Sequence, residues 1–592
     1  MTGVESKSGA ERPAESSPLR GKSSWLPRCL LRLLPAGFAG EVKELCAMAG
    51  PVFLSNVMVF LVNIVSSIFC GHLGKIELDS VILAVAVINV CGFSIGSGLA
   101  SACDTLISQT YGSKNMKRVG IIIQRGILIL LLFCFPCWAI FINTENIFLL
   151  LRQNPEISRL TQKYVMIFIP ALPAVFIYQL EIRYLQNQGI IWPQVFTGIV
   201  VNIINAAVNA VFLYGLKMGI VGSALANAIS QFAMCFVLFI YIYVKKLHVE
   251  TWAGWSRDCL QEWGSFINLA IPSMLMMCIE WWSFEIGGFL VGLIGVVELG
   301  AQAIMLEMAT AAYTIPFGFS VAASVKIGNA LGAGDVHQAK LSTKVSFFCT
   351  ISLALLTGVT VAGLKDYIPL IFTPDREIVH LVSRLLLMFA PLHFFDAISI
   401  TCGGMLRGTG KQKFGAILNV VGYYIVGLPI GVSLMFAAKL GVIGLWTGLI
   451  TCTFMQAVSF GTFIVLLNWD KACEEAMVRA GVKLKKKHPG PKSTQTGSPG
   501  SAIPENGHMQ PFDVYDVQEK PNSGDIILPD IASCVKLTGQ LVQQEDLATE
   551  TTCVIGEVLS VKQLVLRRGL AVASAVATLI IGIIVKCLVG RC

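Results

Sequence analysis

Twelve apolar stretches of about 20 residues, with a thirteenth after a long polar gap, leave this chain very few ways to fold. They lie near 44–70, 78–110, 119–142, 160–182, 191–215, 219–244, 264–292, 298–325, 342–364, 379–406, 414–437, 441–467 and 569–590. Each is long enough to cross roughly 30 Å of hydrocarbon as a helix. No water reaches a backbone amide inside a bilayer, so a segment there must close its own hydrogen bonds, and helices do so. Composition agrees, because 55% of the 592 residues are hydrophobic and only 14% are charged, far from the balance of a soluble domain. The chain reads as an all-α integral membrane protein.

The polar N-terminus, MTGVESKSGAERPAESSPLRGKSS, has no apolar run placed to act as a cleaved signal, and Thr2 in place of glycine argues against myristoylation. Orientation follows from the loop lysines and arginines. One set of loops holds Lys114, Lys117, Arg118, Arg183, Lys245, Lys246, Arg257, Lys326, Lys340, Lys344, Arg407, Lys411 and Lys413. The opposite set holds only Lys75, Arg152, Arg159, Lys217, Lys365, Arg376 and Lys439. The richer set shares a side with the N-terminus, which is expected in the cytoplasm, with the C-terminus outside. The expected division is a cytoplasmic tail 1–43, a first lobe 44–245, an inter-lobe linker 246–263, a second lobe 264–468, a disordered cytoplasmic linker 469–568, and an extra span with its tail at 569–592.

Several function classes drop out. The net charge of +8 follows the cytoplasmic loop bias, and no basic stripe interleaved with aromatics suggests nucleic acid. The one Cys-x-x-Cys, CFPC at 134–137, lies in an apolar helix without a second pair and reads as buried thiols. No His-Glu-x-x-His occurs, and GKS at 21–23 lacks the upstream glycine of a phosphate loop. With no ATP site, no cofactor and no nucleophile–base pair, the chain is expected not to be an enzyme, and uphill work must draw on an ion gradient.

An internal repeat sets the architecture. YGSKNMKRVG at 111–120 answers LGAGDVHQAK at 331–340, and YLQNQG at 184–189 answers MLRGTG at 405–410. Likewise MGIVGSALANA at 218–228 answers LGVIGLWTGLI at 440–450, Pro51 matches Pro272 and Pro170 matches Pro391, all near an offset of 221. Six spans per half is an even number, so both halves enter from one side. The expectation is two six-helix lobes related by a pseudo-two-fold parallel repeat, plus a thirteenth C-terminal transmembrane helix. Transporters are built this way, with substrate and ion sites near mid-membrane.

Shifting by 221 exposes an asymmetry. Glu280 falls on Val59, Glu285 on Ile64, Glu307 on Ala86 and Asp396 on Val175. The first-half helices therefore fold without acids at these positions. An ionised carboxylate at the bilayer centre costs about 2.5–3.5 kcal/mol, so four facing lipid would cost on the order of 10 kcal/mol. They are expected to face an internal cavity and to hold protons or cations. A proton and an organic cation then compete for one site, which is the physical content of antiport. Glu280 and Glu285 sit about 7.5 Å apart along the helix and some 140° around it, so Glu280 with Asp396 is the better coupled pair. His393 could relay protons. Trp281, Trp282 and Tyr313 could offer aromatic faces to a cation. Asp104 and Glu181, with Arg183 nearby, read as pairing or snorkelling groups. Pro272, Pro316, Pro391 and Pro429 mark places to look for bends.

The segments SACDTLISQTYG at 101–112, AIPSMLMMCIEWWSFEIGGFLVG at 270–292, ELGAQAIMLEMATAAYTIPFGFSVAASVKIGNALGAGD at 298–335 and CGGMLRGTGKQKFGAILNVVGYYIVGLPIG at 402–431 carry a specific likeness. The chain resembles the multidrug and toxin extrusion family of solute carriers, most closely its mammalian branch, from about 40 to 468 and also in the linker and last helix. The resemblance implies two lobes opening alternately as a V, with export of small organic cations and cationic drugs against protons. It implies a multi-pass protein in membrane lipid, at the plasma membrane and apical in epithelia. It also implies that acids at Glu280, Glu285, Glu307 and Asp396 matter for transport. The position of Asp396 is commonly glutamate in mammalian relatives. Some prokaryotic relatives carry a coupling aspartate on the first helix, where this chain offers Asn56 and Asn63. Sodium coupling through the same acids, or a lipid flippase of related architecture, are the alternatives.

Overall fold

The computed structural model describes residues 37–71, 74–482 and 559–589. Among these, thirteen helices are long and apolar enough to cross a membrane. The first lobe comprises α1 (Phe38–Gly71), α2 (Ile76–Gly112), α3 (Met116–Ile142), α4 (Pro155–Asn187), α5 (Trp192–Gly215) and α6 (Ile220–Val244). The second comprises α7 (Trp263–Gly292), α8 (Val296–Gly332), α9 (Val336–Gly363), α10 (Arg376–Thr409), α11 (Gln412–Ala437) and α12 (Val442–Val465). The offset of 221 carries each helix of the first set onto its counterpart. Even irregularities repeat: a wide helical turn at Ala210–Gly215 in α5 answers one at Ser433–Ala437 in α11.

The helices begin where side chains satisfy orphan amides. Asn154, Asp335 and Asp375 accept from backbone N–H groups of the first turns of α4, α9 and α10. The prolines expected to bend the second lobe lie inside continuous helices at Pro272, Pro316 and Pro391. In lipid, burial of apolar surface drives little helix association, so close packing and polar contacts do the joining. The lobes accordingly bury ties such as Trp446 Nε1 donating to Gln302 Oε1 at 2.8 Å and Asn205 Nδ2 to Ser230 Oγ at 2.9 Å.

Helices α1 and α7 cross between lobes. The first turns of α1 (Phe38, Val42, Leu45, Ala49) pack with Phe319, Ala322, Leu341 and Val345 of the second lobe, while Val62 and Cys70 lie in the first-lobe core. Conversely Trp263, Phe266, Leu269 and Ala270 of α7 are buried in the first-lobe core, and Ile279 and Val291 in the second.

Bonds joining the lobes gather at one end of the bundle, the end that carries most of the loop lysines and arginines. Glu41 accepts from Ser342 Oγ at 2.6 Å and Gln338 Nε2 at 2.7 Å and pairs with Lys326 at 3.1 Å. Its repeat counterpart Glu262, at the start of α7, pairs with Arg118 at 2.8 Å and Arg125 at 3.2 Å. Gln109 Nε2 donates to the Gly408 carbonyl at 2.9 Å. Here α2 and α8 meet through glycine: a Cβ on Gly112 would press on the Asn329 backbone, and one on Gly332 on that of Gln109.

The segment 469–568, expected from composition to be disordered, begins instead with a helix, α13 (Trp469–Arg479). Its charged surface had hidden an apolar stripe, Trp469, Cys473, Ala476 and Met477, which packs with Ile327 and Leu331. Residues 483–558, and the tails 1–36 and 590–592, lie outside the described residues. The thirteenth span, α14 (Val561–Val589), packs on α3, where Asn143 Nδ2 donates to the Gly582 carbonyl at 2.8 Å and Lys586 meets Glu145 at 3.0 Å.

Candidate functional site

Five helices of the second lobe line a small, partly open cavity of about 40 Å3. Helical spacing delivers its walls: Ser273, Met276, Met277 and Glu280 fall on one stripe of α7, and Asp396, Ser399, Ile400, Gly403 and Arg407 on one stripe of α10. α8 supplies Tyr313 and Phe317, stacked at 5.5 Å between ring centres, α11 supplies Asn419 and Tyr423, and α12 supplies Gln456 and Phe460. The amides are held in place, since Asn419 Nδ2 donates to the Met276 carbonyl at 2.9 Å and Gln456 Nε2 to Asn419 Oδ1 at 3.1 Å.

Glu280 and Asp396, named from the repeat asymmetry, both line this cavity, and both are half-buried. Neither belongs to an ion pair among the described residues. Tyr313 lines it with them. Glu285 and Glu307, expected to face the same cavity, do not line it; both side chains are exposed. Glu285 lies one turn from Trp282, whose Nε1 donates to the Val90 carbonyl of α2 at 3.1 Å, so this face of α7 looks across to the first lobe. Glu307 lies on an exposed stripe of α8 with Leu299, Ala303 and Thr310, about 9 Å along the helix from Tyr313. The four acids therefore divide into a cavity pair and two exposed carboxyls. The offset reported their asymmetry faithfully, but helix phase decided their company.

His393 is not brought to the acids. It is buried, stacks on Phe389 at 5.5 Å and borders a separate small void beside Pro316 and Thr350. Trp281 and Trp282 are 37% exposed and line no part of the cavity. Asp104 is a pairing group, as expected, but its partners are Arg183 at 3.5 Å and Arg407 at 3.6 Å. Glu181 does not pair with Arg183; its Oε1 takes a long contact of 3.9 Å from Cys235 Sγ.

The residue that the sequence misplaced is Arg407. Counted there among loop cations, it belongs to α10 and lines the cavity. The signal was present: Asp396 and Arg407 are eleven residues apart, three full helical turns, and so share a face.

Comparison with known proteins adds the following. The MatE family model matches residues 51–211 and again 272–433, two copies whose starts stand 221 residues apart. Multidrug and toxin extrusion protein 2 of Mus musculus is 55% identical over 96% of this chain and 95% of its own length. Multidrug and toxin extrusion protein 1 of the same organism is 52% identical over 97% and 99%. Among solved structures, the eukaryotic MATE transporter AtDTX14 superposes with a TM-score of 0.72 at 30% identity, covering 75% of this chain and all of that one.

Proposed function

The chain belongs to the multidrug and toxin extrusion family of membrane transporters, and from that premise we propose that it exports organic cations in exchange for protons through the second-lobe cavity. One observation carries the reading: Glu280 and Asp396 share a cavity with Tyr313, Phe317 and Tyr423, and neither acid is neutralised by an ion pair of its own. In a low-dielectric pocket, two carboxyls without ion pairs of their own favour taking up positive charge from outside. Protons can supply it from one side and an organic cation from the other. The aromatic rings add favourable contact with a cation's apolar and charged parts.

Alternating access follows from the way the lobes meet. The ties around Glu41, Glu262 and Gln109 close one end. The density of lysine and arginine there supports placing that end, and the N-terminus, in the cytoplasm, which makes this the outward-facing state. The bonds at the seam must part when the transporter faces inward. The C-terminus then lies outside, and the relatives' extrusion role supports the plasma membrane, apical in epithelia, as the site of action.

The test is uptake of a fluorescent organic cation into proteoliposomes under an imposed pH gradient, with sodium absent. Wild type accumulates the dye; Glu280→Gln and Asp396→Asn, present at wild-type levels, do not. Strict dependence on sodium would overturn proton coupling, and full exchange by Glu280→Gln would remove the site.

A further inference from the structure

The cavity holds a positive charge of its own. Arg407 is the basic residue among its lining groups, set against the carboxyls of Glu280 and Asp396. Its guanidinium does not point idly at the void. Nη2 donates to Ser320 Oγ on α8 at 2.9 Å, and Nε stands 3.6 Å from Asp104 Oδ2 on α2 of the other lobe. Asp104 is shared, because Arg183 Nη1 approaches the same oxygen at 3.5 Å while Asn187 Nδ2 lies 3.4 Å from Oδ1. Side-chain exposure is 5% for Asp104, 5% for Arg183 and 14% for Arg407, so solvent screens these charges little.

Counting fixed charge gives a definite result. Asp104 can balance one of its two guanidiniums; the other remains as a net positive charge at the cavity wall. With both acids ionised, the cavity and its backing therefore carry a net charge of minus one. A single external positive charge completes it, whether from a proton or from a monovalent cation.

Resting on the antiport reading above, we propose that Arg407 is a specificity-determining residue: as a built-in cation held between Asp104 and the acid cavity, it sets the preferred substrate charge at plus one. Without it the same two acids would ask for two positive charges, and a dication would fit where a monocation now does. Lysine and arginine differ in geometry, but for charge counting Lys is the conservative replacement.

The observable is a ratio. Reconstituted full-length protein is assayed for KM with tetraethylammonium, a monocation, and with a bis-quaternary alkane of similar girth, a dication. Any change in folding, protein amount or lobe equilibrium scales both substrates alike, whereas a change in fixed charge does not. Unit charges a few ångströms apart at an effective dielectric near 20 differ by enough to move binding about tenfold or more. Arg407→Gln is expected to shift the ratio of KM values at least tenfold toward the dication, with Arg407→Lys staying near wild type. Asp104→Asn, which frees a guanidinium, is expected to shift it about as far the other way. If Arg407→Gln transports too slowly for kinetics, displacement of a bound fluorescent cation by the two probes gives the same ratio. An unchanged ratio in Arg407→Gln, or equal shifts of one sign in both variants, overturns the proposal. Failure of the antiport reading is separate, because it shows as exchange surviving in Glu280→Gln.

Discussion

Replacing Gly332 by alanine tests whether the closed end opens during transport. Gly332 is the last residue of α8, and a Cβ there would overlap the backbone of Gln109 on α2, not a movable side-chain tip. Forcing a methyl group into such a seam costs about 1–3 kcal/mol, which is about a five- to 150-fold shift in a two-state equilibrium. The penalty exists only while the two helices touch, so it falls on the state described here and not on one in which the lobes have parted at this end. Gly264→Ala is the matched control, since a Cβ at Gly264 meets nothing within 4 Å. Alanine favours helix over glycine by roughly 0.5–1 kcal/mol in an interior position, an effect with no preference between the two transport states. The assay is the inter-lobe distance at the closed end, read by spin labels on non-natural residues at Ser113 and His337. Gly332→Ala is expected to populate a longer distance and lower the export rate, while Gly264→Ala does neither. An unaltered distance distribution in a Gly332→Ala protein that is folded and active would refute the claim that the α2–α8 contact belongs to one state only.

Other expectations follow from the same geometry. Glu285→Gln and Glu307→Gln should raise KM for an organic cation several-fold with kcat nearly retained, because these acids lie outside the cavity; initial-rate uptake checks this. His393→Leu should keep the pH profile of uptake and export within about twofold of wild type, as its ring stacks on Phe389 away from the acids. At α13, burial works against ionisation of Glu475, yet the hydrogen bond from Lys411 at 2.7 Å and the charges of Lys411 and Arg479 hold its carboxyl below the ordinary glutamate value. A carboxyl lowered in this way stabilises docking at neutral pH, and that contribution fades as pH falls through 4.5 and below. Amide protection in residues 469–479, taken as the exchange rate relative to the intrinsic rate at each pH, should therefore fall on acidification, and Glu475→Gln should remove that fall.

Much of the fold was legible because bilayer physics is severe. Apolar length marks the spans, and the fixed offset in the sequence pairs α1 with α7 and α2 with α8. The family model repeats at the same interval. Glu280 and Asp396 were readable since a carboxyl in an apolar helix, opposed by Val59 and Val175 in the repeat, lacks a structural excuse. What stayed hidden depended on rotation about a helix axis and on contacts between distant segments. Glu285 and Glu307 looked alike to Glu280 in hydropathy, yet their faces lead elsewhere. Arg407 was mistaken for a loop cation because it stands within the last turn of its span, where charge is cheap and needs no partner to explain it. The apolar stripe of α13 was outvoted by the charges that follow it.

The exchange of α1 and α7 between lobes has a consequence for ancestry. Each six-helix unit borrows the opening turns of its sister's first helix to fill its own interior, so neither would be complete if made singly. A progenitor carrying one copy of the repeat would have left Phe319 and Leu341, or their forerunners, without cover. A single copy could cover them only by exchanging opening turns with a second copy, the arrangement that the two halves of this chain make within one molecule.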